Sequence, residues 1–497
     1  MKKLTPFVFI SLPVLLLSAC SSTTTVKQLQ DDFNKHKYSS YVSANLKSQP
    51  TAVKTVSFDN QKLKTVTRQL ASRKKHSGKR ISGVINQNDL YLPARGLQQQ
   101  VAVLNTTKKM ENWLSSHSNL EAVLTILLRN NLDIKSSQEQ AKSSLSKYDQ
   151  VAYLDDTLAQ YASFIKDIKL TGSTQKHKKA TQAAFPFPSL QALKSSIIDQ
   201  SVEASRLQLK QTVQDVITKA RIAYHELQLS RQQDLLTKQS IKLLSSLKSQ
   251  LKSSYSTNSG ELSAILQVDI EIENNHNMLQ VSKDKQRAQQ SRLNALLNLS
   301  ADFSLGRLES LNALPLKQNA KTLITKAQRN RIEIARLKAD LVKMKRIIEL
   351  SEKRFYPDFD AGFSRLKGGK FSNKPTLRKN DFFAKNDAYL AETKQKYRAL
   401  QAKIKALKTK TGDDIQQALS KYLEQKRSYK LYKNKVLPKV RSTLDIAKNT
   451  YETGESSFID IIEAEEMILD YQLKSLQALK EMNINIAKIE RFMGSRR

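Results

Sequence analysis

Arg129-Asn130-Asn131-Leu132-Asp133-Ile134 and Arg329-Asn330-Arg331-Ile332-Glu333-Ile334 are two versions of one string, 200 residues apart. Each opens a helical stretch that leads toward a non-helical break. Gly260-Glu261 pairs with Gly454-Glu455 at an offset of 194, with Tyr255 and Tyr451 just upstream. An amphipathic stretch follows each pair. Two matches at similar offsets, in the same flanking order, describe an internal repeat. The repeated plan is helix, β-hairpin, long helix, tight turn and return helix.

Working outward, the periodicity fills in that plan. Leu120, Val123, Leu124, Leu127 and Leu128 recur at spacings of three and four, the mark of an amphipathic helix. A longer helix is predicted from about Leu190 to Leu251. In it Leu209, Val213, Val216, Ala220, Ala223 and Leu227 step 4-3-4-3-4, a coiled-coil seam. Sixty such residues make a rod of roughly 90 Å. A third rod is predicted from about Asn386 to Thr450, with Ile415, Tyr422, Tyr429 and Val436 every seven residues. Pro438 lies inside it and predicts a kink or a break. Tyr422, Tyr429 and Tyr432 read as packing residues. Shorter helices are expected over 262–297, 320–353 and 457–493. Two β-hairpins are expected: one over 161–192, around Gly172 and Phe185-Pro186-Phe187-Pro188, and one over 355–384. In the second, Phe355, Phe359, Ala361 and Phe363 alternate with polar residues, and Gly368-Gly369 marks a turn.

Composition agrees with long helices. Among 497 residues there are 12 Gly and 10 Pro, too few for a collagen-like or turn-rich all-β chain. One Cys excludes internal disulfides and Cys-based zinc cages, and the six His lie too far apart in sequence for a helical zinc pair. No metal, cofactor or catalytic residue is expected: no phosphate loop and no nucleophile constellation is present. The net charge of +37 points first to polyanions, and the run Gln61–Arg80 has eight Lys/Arg and no acid. Residues 21–116 read either as a partly disordered arm or as an irregular segment laid over a scaffold.

The N-terminus redirects that charge. Lys2 and Lys3 precede an apolar run from Phe7 to Leu17, too short to span a bilayer but suited to a secretory signal. Leu17-Ser18-Ala19-Cys20 resembles a bacterial lipobox, with Cys20 the acyl acceptor. Ser21 resembles the class sorted to the outer membrane. A nucleic-acid partner is therefore not expected.

The most specific residues lie late in the chain. They are Leu437-Pro438, Tyr451-Glu452-Thr453-Gly454, Phe458-Ile459-Asp460-Ile461-Ile462-Glu463-Ala464-Glu465 and Ile489-Glu490-Arg491-Phe492-Met493-Gly494. These resemble the TolC-type outer-membrane efflux family, in its lipoprotein branch, over about 118–494. The resemblance implies a mainly α fold with a small β part. Long coiled-coil helices would build an α-helical barrel, and four strands per chain a trimeric twelve-strand outer-membrane β-barrel. The boundaries would be a signal peptide over 1–19, a basic extension over 20–117, and repeats over 118–313 and 314–497. The function implied is a passive trimeric exit duct of an efflux or secretion system. Its partners would be a periplasmic adaptor, an inner-membrane transporter of RND or ABC type, and outer-membrane lipid.

The resemblance also implies sites. Asp460 and Glu463 match the family's acidic pair at the periplasmic entrance, and threefold symmetry would turn them into carboxylate rings that select cations. Asp269 holds the repeat-equivalent place of Glu463. Gly260 and Gly454 allow the tight turns that would meet the adaptor, beside Ser259, Thr453 and Glu455. Lys176-His177-Lys178-Lys179 lies in the first hairpin. A competing reading stays open: a periplasmic coiled-coil lipoprotein that scaffolds without a pore. Lys166, Asp167, Lys169, Arg378, Lys379 and Asp381 within the expected strands, and the high charge, favour it.

Overall fold

The computed structural model describes residues 60–86, 90–149, 188–256, 262–355 and 381–496. Residues 161–187 and 356–380 of the expected hairpins, Cys20, Ser259, Gly260 and the 176–179 run lie outside the described residues. The outer ends of the expected hairpins, 188–192, Phe355 and 381–384, are helical and not strand, because the long helices run further than their seams suggested. The chain divides into a unit up to Lys64 and a unit from Thr65 to Arg497. Of the first, 60–64 are described, the opening of helix α1 (Asn60–Asn86). Among the described residues no helix is long and apolar enough to cross a membrane.

In the second unit both copies of the repeat rest on the same frame. Helices α4 (Leu120–Asn130) and α8 (Ala320–Asn330) have 11 residues each. Asn119 and Asn319 open them, their side chains accepting the N–H of Ala122 at 2.8 Å and of Thr322 at 2.9 Å. Each cap satisfies a backbone donor that the first helical turn leaves unpaired. Each helix then meets one residue outside the helical region, Asn131 (φ −63°, ψ 130°) or Arg331 (φ −56°, ψ 126°). The chain resumes as α5 (Leu132–Ser143) or α9 (Ile332–Phe355). The segment read as one helix over 320–353 is thus two, divided at the residue that corresponds to the first knee. A 3₁₀ turn, Ser144–Tyr148, follows α5.

The long helices lie where the seams predict. Helix α6 runs Pro188–Ser256, 69 residues, about 100 Å at 1.5 Å per residue. Its seam Leu209, Val213, Val216, Ala220, Ala223 and Leu227 is buried. Each Val or Leu so buried contributes about 1.5–3 kcal/mol, which outweighs the small helix propensities involved. Helix α7 (Leu262–Leu297) returns along it. The third rod is α10 (Asp381–Leu431), a π turn at Tyr432–Val436, and α11 (Leu437–Glu452). The rod is not broken at Pro438: a π turn lies just before it in an uninterrupted helical run, where the missing N–H and the ring of Pro438 disturb the regular α turn. Helix α12 (Phe458–Met493) returns. Tyr422 is buried and its hydroxyl accepts the N–H of Leu316 at 3.1 Å, while Tyr429 packs on the same cluster and Tyr432 lies 5.8 Å from Tyr471.

Of residues 21–116, the parts 65–86 and 90–116 described in this unit pack over the scaffold. Helices α1, α2 (Arg95–Ala102) and α3 (Thr107–Ser116) place Ile81, Val84, Val101, Met110 and Leu114 in the core shared by α4 to α7. Buried and half-buried ions close the second copy's knee. Arg331 reaches Asp414 at 2.7 Å and Glu333 at 3.3 Å. Arg491 reaches Glu333 at 3.0 Å and Asp215 of α6 at 2.5 Å. Arg221 of α6 pairs with Glu490. The ring of Phe492 lies 5.0 Å from the Arg331 guanidinium and 5.6 Å from that of Arg491.

Candidate functional site

The acidic candidates belong to the end of the bundle where rising helices turn into return helices. Leu244, Leu247 and Leu251 of α6, Ala264, Ile265 and Val268 of α7, Leu444 and Ala447 of α11, and Phe458, Ile461 and Ile462 of α12 form one apolar cluster. The ends flanking both turns therefore meet. Helix α11 closes by a Schellman motif: Glu455 N–H donates to the Thr450 carbonyl at 2.8 Å and Gly454 N–H to that of Tyr451 at 3.0 Å. Gly454 has φ +78°, the left-handed geometry its position in the turn demands. Thr453 is the C-cap, and Thr453, Gly454 and Glu455 are all exposed. The Tyr451 and Phe458 rings meet edge-on at 5.1 Å and fix the turn's two arms.

Asp460 and Glu463 are exposed on the first turns of α12. Asp460 also completes a capping box: Ser457 N–H donates to its Oδ2 at 3.2 Å, and the Ser457 hydroxyl accepts the N–H of Ile459 at 3.2 Å. Its carboxylate thus sits at the positive end of the α12 dipole. Glu463 has no such local duty. Asp269 is held differently, paired with Lys248 of α6. The second copy repeats that pairing, with Lys448 of α11 3.7 Å from Glu465 of α12. Lys248 and Lys448 are 200 residues apart, the same offset as the knees. Burial raises the Glu465 pKa above the usual carboxylate range, against the pull of Lys448.

Sequence reasoning passed over the charge that meets across the copies. Glu466 of α12 is pushed up to about 7, chiefly by burial, then by Glu271 of α7 and by Glu463. Among the described residues no cation is paired with this trio, and no set of three or more carboxylate, His or Cys side chains is gathered closely enough to hold a metal ion. The repeat offset of 194 places Glu271 opposite Glu465 in the plan, a signal that could have drawn attention to it. The sequence does not show that α7 and α12 become neighbours.

Comparisons with known proteins bear on the fold. No protein-family sequence profile and no curated protein sequence matches the chain. Solved structures do. The outer-membrane channel OprN is 15% identical with a TM-score of 0.59, covering 76% of this chain and 90% of its own. The outer membrane protein VceC from Vibrio cholerae is 13% identical with a TM-score of 0.56, covering 79% and 99%. The open state of the Neisseria gonorrhoeae MtrE outer membrane channel is 13% identical with a TM-score of 0.55, covering 76% and 89%. OprN and MtrE are outer-membrane channels. The described helices of this chain have the fold of the TolC-type outer-membrane channels.

Proposed function

We propose that the protein is a passive, trimeric exit duct in the outer membrane, fed by a periplasmic adaptor and an energised inner-membrane transporter. The observation that carries this is the apolar stripe of α7 on a channel-like fold. Leu262, Leu266, Ile270, Met278 and Val281 are between 41% and 55% exposed, at spacings that keep them along one side of the helix. Ile446 and Met467 are exposed on α11 and α12. Continuous apolar faces on isolated long helices are unfavourable in water, and a closed ring of copies would cover them. Strands within 161–187 and 356–380 would contribute four per chain to a shared barrel, because an open sheet edge is not tolerated in lipid. Acylation at Cys20 would add a membrane anchor.

In this reading the turn ends are periplasmic. Asp460 and Glu463, repeated by symmetry, would ring the entrance, with Asp269 contributing less because Lys248 neutralises it. Ser259, Gly260, Thr453, Gly454 and Glu455 would meet the adaptor. The chain carries no means of coupling energy, so the transporter, of RND or ABC type, must supply it.

The test is conductance of the full-length protein in planar bilayers, with its oligomeric state in detergent. A trimer that conducts supports the duct. A soluble, wholly helical protein without conductance favours the non-pore scaffold instead. The double variant D460N/E463Q removes the charge while an amide oxygen remains to accept the Ser457 N–H. Reduced cation selectivity is expected. Unchanged selectivity and conductance would remove the gate assignment and leave the duct reading standing.

A further inference from the structure

Helix α1 carries eight Lys/Arg and no acid, and the six cations from Arg68 to Arg80 fall into two sets. The first set is part of how the helix docks. Arg73 reaches Asp199 at 2.6 Å, Lys74 reaches Asp149 at 2.5 Å and Arg80 reaches Glu203 at 2.9 Å. They flank an inner seam in which Leu70, Ser77, Ile81 and Val84 step 4-3 toward the core, with the Ser77 hydroxyl 3.2 Å from that of Tyr148. The second set, Arg68, Lys75 and Lys79, lies on the opposite side at spacings of seven and four, with Ser72 and Ser82 completing the stripe. All five are exposed, and among the described residues none of the three cations is paired with a carboxylate.

Several surface cations on other helices have an acid of their own helix within reach. Lys396 is paired with Glu392, Arg346 with Glu349 and Lys474 with Asp470, each within one turn of its own helix. Helix α1 has no such acid, and Lys75 and Lys79 stand at i, i+4, a destabilising like-charge spacing. The position of the helix matters as much as its charge. Its docking partners Asp149, Asp199 and Glu203 lie on either side of 150–187, the segment that enters the membrane if the duct reading holds. The stripe from Arg68 to Ser82 extends about 21 Å along the helix, at the membrane-proximal end of the bundle in that reading.

We infer that the outer stripe of α1, Arg68, Lys75 and Lys79, is a docking surface for the phosphodiester headgroups of anionic phospholipids on the periplasmic face of the outer membrane. This rests on the duct reading for its location. Phosphate oxygens take charge-assisted hydrogen bonds from guanidinium and ammonium groups, and the Ser72 and Ser82 hydroxyls can add donors. The role is positional: the stripe would fix the height of the bundle against the bilayer, beside the expected lipid anchor.

The test uses the full-length protein in neutral detergent micelles doped with phosphatidylglycerol or with phosphatidylcholine. Phospholipid retained per chain after gel filtration is the readout. The wild type is expected to retain phosphatidylglycerol preferentially and to lose the preference at high salt. In R68Q/K75Q/K79Q the affinity for phosphatidylglycerol should fall roughly 100-fold, about five-fold per cation. The charge-preserving R68K/K75R/K79R should keep it. Equal retention of the two lipids by the wild type, or an unchanged triple glutamine variant, overturns the inference. So does tighter binding of heparin than of phosphatidylglycerol, which would assign the stripe to a soluble polyanion. Conductance of the same preparations separates the two readings. A conducting protein without lipid preference sinks this surface alone, and a non-conducting one that prefers phosphatidylglycerol sinks the duct alone.

Discussion

The two knees, at Asn131 and Arg331, have nearly the same backbone and different chemistry. In the first, neutral amides hold the joint. Asn130 Nδ2 donates to the carbonyls of Leu297 at 2.7 Å and Asn298 at 3.1 Å, and Asn131 Nδ2 to that of Leu296 at 2.8 Å. The Asn131 carbonyl oxygen of the side chain caps α5 by accepting the N–H of Ile134 at 3.0 Å. In the second, Arg331 takes the place of Asn131, and the joint is held by buried and half-buried ions that also reach α6 through Asp215. A break between two helices leaves backbone groups that must find partners. That demand is common to both copies. The amides settle it within one copy, whereas the ions also tie the second copy to the first.

The largest test of this contrast is Arg331→Met. The side chain is 7% exposed, and removing one partner of a buried ion network leaves Asp414 uncompensated. A loss of about 3–5 kcal/mol is expected, read as a lowered unfolding midpoint of the detergent-solubilised protein. Arg331→Lys should fall between, because an ammonium cannot reproduce the fork that serves Thr411, Asp414 and Glu333 together. If R331M unfolds like the wild type, the ionic knee is not what holds the second copy.

Next come the residues that end the return helices. Gly494 has φ +69° and Asn298 φ +52°, and they occupy matching places against the two knees. A Cβ on Gly494 would lie 2.5 Å from the Asn330 carbonyl oxygen. Gly494→Ala should therefore cost about 2–3 kcal/mol, combining left-handed strain with displaced backbone. Asn298→Gly should change stability by only a few tenths of a kcal/mol, since Asn already tolerates that region. Similar losses from both variants would show that the two ends are not equivalent.

The amide knee predicts a smaller effect. Asn131→Ala removes the cap on α5 and the bond to Leu296, for about 1–2 kcal/mol. A loss as large as that of R331M would erase the distinction between the knees.

Much of the fold was legible because the signals were periodic. The α6 seam announced a rod, and Pro438 announced the departure from α geometry at the π turn before it. The knees were legible only as a repeated string. Nothing in Asn131 or Arg331 says that the helix stops there, because both residues are tolerated inside helices and their partners lie far away in sequence. The candidate site was legible in part. Gly454 could be placed from turn chemistry, which is local, and Asp460 from the resemblance, while its capping box with Ser457 was not read from sequence. Asp269 could be placed from the repeat. Its partner Lys248 and the approach of Glu271 to Glu466 depend on packing between helices, which periodicity does not specify.

The smallest predicted effect tests the other place where the copies meet. Glu466 is raised to about 7 by burial, Glu271 and Glu463, while the unfolded chain would release that proton near the ordinary carboxylate value of about 4.3. Between these values the folded state holds a proton that the unfolded state does not. Stability from this group is therefore fully present below about 4.3 and is lost as pH rises through about 7. Glu466→Gln keeps the shape without the charge. It should match the wild type at pH about 4 and exceed it at pH about 8, by about 2 °C or less in melting temperature, since the group is partly solvated. Glu271→Gln should shift the pH dependence in the same direction but by less, because it ends the repulsion while Glu466 stays buried. If only one of the two variants shows it, the carboxylates act separately, and the turn ends of the two copies are not coupled through charge in the way the knees are.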